Sequence, residues 1–257
     1  MTTHKLICGD VRKIQPTLPS GSVNLIVTSP PYNVGVDYGI YKDNLPTDEY
    51  IFDLTDVFLS LSKMLAPGGH ICINLANTGR QPYTPKKDML VCSLLKTGWD
   101  MEYRGEIIWD KHNMTAQTAW GSWLSPNMPS IRDRHEYVIV FRKPGARKGE
   151  TDLTDVEFMN YTQSIWQITP ETDNCHPAPY PLELAMRLIK LYSFIGETVF
   201  DPFVGSGTTS YVAKKLGRNS IGCDLNPLYI EMSKQRLARL DGSIEQNVKP
   251  MTISTTL

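Results

Sequence analysis

Two stretches of this chain place chemically capable side chains at short spacing. The first, Thr28-Ser29-Pro30-Pro31-Tyr32-Asn33, directly follows the apolar run Val23–Val27. Consecutive prolines have fixed φ and no N–H to donate, so their carbonyls can be held rigidly at the end of a strand. Ser29 adds a hydroxyl and Tyr32 an aromatic face, a set that suits a planar base or amide; a plain strand-ending turn is the competing reading. The second stretch is Asp201-Pro202-Phe203-Val204-Gly205-Ser206-Gly207-Thr208-Thr209, between the strand-like Thr198–Phe200 and a helical pattern. Its glycines let a backbone approach a ligand closely, and the helix start offers unpaired N–H groups. Asp224 ends the next strand-like run, Ser220–Cys223, where carboxylates of nucleotide folds accept ribose hydroxyls. A dinucleotide fingerprint needs a third glycine where Ser210 stands, and a P-loop needs a lysine that is absent. A tight structural turn would explain the glycines alone; Asp201 before them and Asp224 after them point to a nucleoside cofactor.

The elements that must position these residues follow from the pattern of apolar runs. Short runs alternate with longer helical stretches, the signature of βα units on a mostly parallel sheet. Lys5–Cys8, Val23–Val27, His70–Leu75 and Thr198–Phe200 read as buried strands. Thr47 reads as a helix N-cap followed by the acids Asp48 and Glu49, after which Ile51, Leu54, Phe58 and Leu61 share one face and Pro67-Gly68-Gly69 closes the helix. Pro181 fits the first turn of a helix whose Leu182, Ala185, Met186, Ile189 and Tyr192 lie on one side, and Gly217 ends the helix after the Gly-rich turn. In open sheets of this kind ligands bind beyond the carboxyl ends of the strands at a switch point, so the strands ending in Thr28 and Phe200 are expected to be neighbours. Glu106–Trp109 and Tyr137–Phe141 read as two strands joined by a connection too long for an ordinary hairpin, and such connections are often functional. Gly145 to Gln163 reads as irregular, and the segment after Asp241 as a polar tail.

With 257 residues the chain can bury a sizeable core as one domain over about residues 1–241, without staples. Hydrophobic residues at 41% and charged residues at 21% exclude a disordered or collagen-like chain. No apolar run approaches the ~20 residues that span a bilayer, and no signal peptide is evident, so the expected location is the cytoplasm. The five cysteines, Cys8, Cys72, Cys92, Cys175 and Cys223, have no CxxC spacing and read as buried thiols, not as a metal site or disulfide framework. Net charge is −1, so any basic surface must be local. Arg132 to Lys148 holds six Lys or Arg, read either as a solvated basic edge or as a polyanion surface.

On these motifs the chain resembles the S-adenosylmethionine-dependent DNA methyltransferases that modify exocyclic amines. Asp201–Thr209 resembles their cofactor motif and Ser29–Tyr32 their catalytic one, in the permuted order of the family's beta group. The resemblance covers about Lys5 to Leu237 and implies a Rossmann-like α/β fold of class I, a mostly parallel sheet with helices on both faces and an antiparallel hairpin. It implies S-adenosyl-L-methionine as cofactor, with S-adenosyl-L-homocysteine as product. The cofactor residues it implies are Asp10, His176, Pro177, Asp201, Phe203, Gly205, Ser206, Gly207, Thr208, Asp224 and Asn226; the catalytic ones are Ser29, Pro30, Pro31 and Tyr32. Double-stranded DNA is the implied partner, with a homodimer and a cognate restriction endonuclease compatible, and no membrane. Base flipping would bring the amine to the pocket, with Tyr32 stacked on the base. Members of restriction systems often carry a large target-recognition domain, whereas only Asn113–Arg134 and Gly145–Gln163 are available here. Arg80, Lys86, Lys87, Trp120, Trp123, Arg132, Arg134, Arg142 and Lys143 are the candidates for DNA contact. Ser29 favours N4 of cytosine as the target atom over N6 of adenine, since adenine enzymes usually carry Asp or Asn there. Methylation at cytosine C5 is disfavoured because no cysteine follows a proline. Glutamine methylation in a protein is disfavoured by Ser29 and by the motif order. An inactive nucleic-acid-binding protein is the alternative of another class.

Overall fold

The computed structural model describes residues 2–78, 82–112, 121–131, 133–171 and 180–240. Arg80, Trp120, Arg132, Cys175, His176, Pro177 and the polar tail lie outside them.

Eight strands form one sheet: β1 (His4–Cys8), β2 (Val23–Thr28), β3 (Leu65–Leu75), β4 (Glu102–Asp110), β5 (His135–Arg142), β6 (Ile165–Gln167), β7 (Thr198–Asp201) and β8 (Asn219–Asp224). Their order across the sheet is β1-β8-β7-β2-β3-β5-β4-β6. Neighbouring pairs are parallel except β3·β5 and β4·β5, so among the described strands β5 alone runs backwards and the expected antiparallel hairpin is β4–β5. The helices are α1 (Val11–Ile14), α2 (Thr47–Leu61), α3 (Lys86–Lys96), α4 (Asp155–Tyr161), α5 (Leu182–Tyr192), α6 (Thr208–Lys215) and α7 (Pro227–Leu240). One buried cluster joins α1, α2 and α3 to the sheet through Ile14, Phe58, Leu61 and Leu90; the other joins α5 and α6 to its opposite face through Leu184, Leu188, Ile189 and Val212. Helices therefore cover both faces, and the central strands are mostly apolar because neither side meets water.

β2 and β7 are neighbours, with Leu25 opposite Val199 and Ile26 opposite Phe200, so the two motif-bearing strands meet as expected. Chain order reverses between them, since β2 leads outward to β3 and β7 leads the other way to β8. That makes their carboxyl ends the switch point.

Several local readings need correction. Pro46, not Thr47, occupies the N-cap of α2, and no side chain caps it; Asp48 and Glu49 supply the favourable charge of the first turn. The helix is closed by a 3₁₀ turn at Ser62–Met64, and Pro67-Gly68-Gly69 lies inside β3 instead. A Cβ on Gly69 would stand 2.8 Å from the carbonyl oxygens of Ala66 and Asn24, so the glycine is required where β3 runs close beside β2 at the register shift between Val23 and Leu25. Pro181 is the N-cap of α5 and not a residue of its first turn. Gly145–Gln163 is less irregular than expected, because Thr154 and Glu157 form a reciprocal capping box that starts α4. Cys8 and Cys92 are exposed, leaving only Cys72 and Cys223 as buried thiols among the described cysteines. No helix among the described residues is long and apolar enough to cross a membrane.

Candidate active site

A cavity of about 440 Å³ opens at the carboxyl ends of the strands flanking the switch point. One end is built by the loops after β1, β7 and β8. Asp224, the last residue of β8, accepts the N–H of Gly205 at 3.0 Å and of Asn226 at 2.8 Å, and burial pushes its carboxyl above the ordinary range. Asp10 caps α1 by accepting the Arg12 N–H at 2.9 Å and pairs with the Arg12 guanidinium at 3.0 Å. Burial pushes the Asp10 carboxyl up, but the hydrogen bonds and charge of Arg12 outweigh it and leave the group below its ordinary value. Phe203, Tyr38 and Tyr229 add aromatic walls. Carboxylates able to accept hydroxyls, beside apolar and aromatic faces, make a pocket end of the kind that can hold a nucleoside.

Asp10, Phe203, Gly205, Asp224 and Asn226 line this cavity, whereas Asp201, Ser206, Gly207 and Thr208 stand behind it. Asp201 is 1% exposed and serves as a strut. Its carboxylate accepts the Thr28 hydroxyl at 2.7 Å, the Thr209 hydroxyl at 2.5 Å and the Phe203 N–H at 3.1 Å, tying the first motif to the second. Gly207, at φ +86°, is required by packing and not by ligand approach, because a Cβ would meet Ser233 at 2.7 Å. Ser206 and Thr208 turn their hydroxyls to Arg236.

The other end of the cavity is the Ser29–Tyr32 loop, fixed by bonds that sequence reading did not foresee. Tyr50 donates to the Pro31 carbonyl at 2.7 Å, and Lys86 donates to the carbonyls of Tyr32 and Asn33 at 2.7 and 2.8 Å. Asn33, at φ +56°, bonds both backbone groups of Leu45, while the buried Asp43 carboxylate accepts the N–H groups of Asn33, Val34 and Val36. Among the described residues no donor reaches the Pro30 carbonyl.

Below the loop lies a polar cluster in an apolar sheet. Tyr32 Oη donates to Glu136 Oε2 at 2.6 Å and lies 3.0 Å from Ser29 Oγ; Asn74 Nδ2 donates to both Tyr32 Oη and Glu136 Oε2 at 2.7 Å. Lys111 pairs with Glu136 Oε1 at 2.5 Å and sits 5.2 Å from the Trp109 ring centroid. Burial, and then the Glu136 charge, hold the Tyr32 phenol well above its ordinary value. Asn74, Lys111 and Glu136 were missed. The available signals were an Asn inside the apolar run His70–Leu75 and a Glu directly before Tyr137–Phe141.

The DNA-contact candidates divide. Lys86 is 3% exposed and donates to the carbonyls of Tyr32 and Asn33, which corrects its assignment to phosphate. Arg142 pairs with Glu102, and Lys143 donates to the carbonyls of Ser62 and Leu65. Because β5 is reversed, both lie at the opposite end of the sheet from the cavity and drop out of the surface around it. Lys87 is engaged by Glu106 and Asp88, and Arg134 by Asp110 at 2.8 Å. Trp123 is 73% exposed on the excursion, with Leu124 and Ile131 exposed beside it.

Comparison with known proteins agrees with this geometry. The family model for DNA methylases matches residues 23–235. Type II methyltransferase M.HpaI of Haemophilus parainfluenzae is 30% identical over 258 residues, 96% of this chain and 79% of that protein. DNA adenine methyltransferase YhdJ of Escherichia coli is 28% identical over 251 residues, 90% and 82% of the two chains. Among solved structures, TTHA0409 of Thermus thermophilus, named as a DNA modification methylase and complexed with S-adenosyl-L-methionine, superposes with a TM-score of 0.73 at 30% identity over 92% of this chain and 95% of that one. PvuII DNA methyltransferase (cytosine-N4-specific) has the same fold, with a TM-score of 0.76 at 20% identity over 97% and 89%. The match begins at the first residue of β2 and runs into α7, so it takes in the Ser29–Tyr32 loop and the loops after β7 and β8, leaving out β1 and the loop that carries Asp10: this chain belongs to the DNA methylase family.

Proposed function

We propose that this protein transfers a methyl group from S-adenosyl-L-methionine to the exocyclic amine of a base in double-stranded DNA, with N4 of cytosine as the target atom. The observation that carries the proposal is the shared cavity: adenosine-type groups at one end and Ser29, Pro30 and Tyr32 at the other line one continuous space.

The cofactor supplies an electrophilic methyl group; the chain's own residues do the rest. Asp224 and Asp10 offer acceptors and Phe203 a wall at one end of the cavity. The amine of cytosine or adenine is a poor nucleophile because its lone pair is delocalised into the ring. Two acceptors directed at its N–H groups favour a tetrahedral nitrogen and stabilise the charge that develops there. The Pro30 carbonyl and the Ser29 hydroxyl are those acceptors, and the fixing of the loop by Tyr50, Lys86 and Asp43 means that little reorganisation is needed. Flipping the base costs a few kcal/mol, part of which the Tyr32 ring returns by stacking. Trp123 and Arg134 are the described residues best placed to meet the duplex.

Cytosine is favoured by Ser29 alone, and N6 of adenine is the alternative. Incubating unmodified DNA with methyl-labelled cofactor, digesting it to nucleosides and weighing them tests both steps. N4-methylcytosine is expected, and Ser29→Ala should abolish it. N6-methyladenine alone would replace the target atom, and no labelled nucleoside would overturn the function.

A further inference from the structure

The polar cluster beneath the catalytic loop has a direction built into its hydrogen bonds. Glu136 is 7% exposed, and both of its oxygens are occupied. An ionised carboxylate only accepts, so the one proton of the Tyr32 phenol is committed to Glu136 Oε2. Asn74 is oriented by the same constraint, because its Nδ2 must face the carboxylate. Between Ser29 Oγ and Tyr32 Oη, 3.0 Å apart, Ser29 is then the donor, since Tyr32 has no second proton to give. Ser29 therefore presents only lone pairs to the cavity. A single buried carboxylate, acting through the Tyr32 hydroxyl, makes the serine an acceptor.

We infer that Glu136 is a positioning residue that also receives the proton released by the methylated amine, passed to it through the hydroxyls of Ser29 and Tyr32. The inference rests on the amine-methylation reading above. In the step, the nitrogen lone pair forms the bond to the methyl carbon while the carbon–sulfur pair stays with sulfur. The nitrogen is left positively charged with one proton too many. That proton moves to Ser29 Oγ, the Ser29 proton to Tyr32 Oη, and the Tyr32 proton to Glu136 Oε2. The products are a neutral methylamine, a neutral thioether and a protonated Glu136. The second and third transfers follow hydrogen bonds already present, of 3.0 Å and then 2.6 Å. The raised pKa of Tyr32 keeps the phenol protonated between turnovers. Lys111, on the other carboxylate oxygen, has a side chain 31% exposed, so water can reach the pair and take the proton away.

The test is single-turnover transfer of labelled methyl from S-adenosyl-L-methionine to unmodified plasmid DNA, with cofactor affinity measured by calorimetry on the same samples. Glu136→Gln and Tyr32→Phe should each slow transfer about a hundredfold or more, the lower range of lost proton-transfer catalysis, with cofactor affinity within twofold of wild type. Glu136→Ala should be equally slow, and added formate should restore it at least tenfold while leaving Ser29→Ala and Tyr32→Phe unrestored. Glu136→Gln within threefold of wild type overturns the relay, as does a Glu136→Ala defect that formate does not restore. If Glu136→Gln and Glu136→Ala both lose cofactor affinity, Glu136 is structural and the relay is again overturned. Wild-type protein that labels no DNA refutes the amine-methylation reading itself, a result distinct from all of these.

Discussion

Lys86 places its ammonium on two carbonyls of the loop that carries Ser29 and Tyr32, at a depth where burial lowers its pKa. Replacing it with Met leaves both carbonyls unpaired, at a cost of about 1–3 kcal/mol. We expect Lys86→Met to lower the melting temperature and slow methyl transfer, yet to leave the salt dependence of DNA affinity unchanged. A true phosphate contact would reduce that slope by about one, so titrations at several salt concentrations separate the two roles. Asp224→Ala should weaken cofactor binding by about 1–3 kcal/mol, since it removes a hydroxyl acceptor at a buried polar site; calorimetry reads this directly. Sequence could mark Ser29, Asp10 and Asp224 because each stands in a local pattern with few alternatives. For Glu136 it offered only a Glu before an apolar run, and for Lys111 nothing local, because their meaning depends on a strand pairing that sets Glu136 opposite Trp109. Lys86 and Lys143 were misassigned for a related reason: a lysine has the same appearance in a sequence whether its head meets water or a buried carbonyl.

Elements were readable in proportion to their burial. β2, with five of its six residues buried, reads as an apolar run interrupted only by Asn24, and α5 shows a clear apolar face. β6 has three residues, of which only Trp166 is buried, so it offers neither a run nor an alternation. Pro-Gly-Gly commonly terminates a helix, whereas here Gly69 relieves a close approach to the Asn24 carbonyl of β2, and Gly68, at φ +76°, passes close to the Gly145 carbonyl. Gly69→Ala should cost about 2 kcal/mol through overpacking against backbone that cannot retreat. Thermal unfolding should record this as a fall of about 4–8 °C. Thr154→Ala, which removes the cap of α4, should cost only about 1 kcal/mol.

The molecule as a whole is pinned where its two motif-bearing strands meet, and Asp201 gives that pin a pH dependence. Burial, opposed by its hydrogen bonds and reinforced by the Asp224 charge, pushes the Asp201 carboxyl up to about 6 from an ordinary 3.8. The folded chain then holds a proton that the unfolded chain has already released. The resulting stability is complete below about 4 and is lost as the pH rises through about 6. Asp201→Asn should flatten this dependence, removing about 2–3 kcal/mol of change across the window. Denaturant melts at pH 4.5 and pH 7 measure it, and equal slopes for variant and wild type would refute the assignment.

The pairing of β2 with β7 also sets a schedule for synthesis. Thr28 leaves the ribosome long before Asp201, its partner 173 residues later. At ~5–20 residues per second this interval is roughly 9–35 s. Throughout it the nascent chain carries β2, a strand with five of six residues destined for burial, with one edge open, a template for pairing with another chain. Yield on overexpression should therefore depend on translation speed and chaperone supply between those two residues more than on the stability of the finished protein.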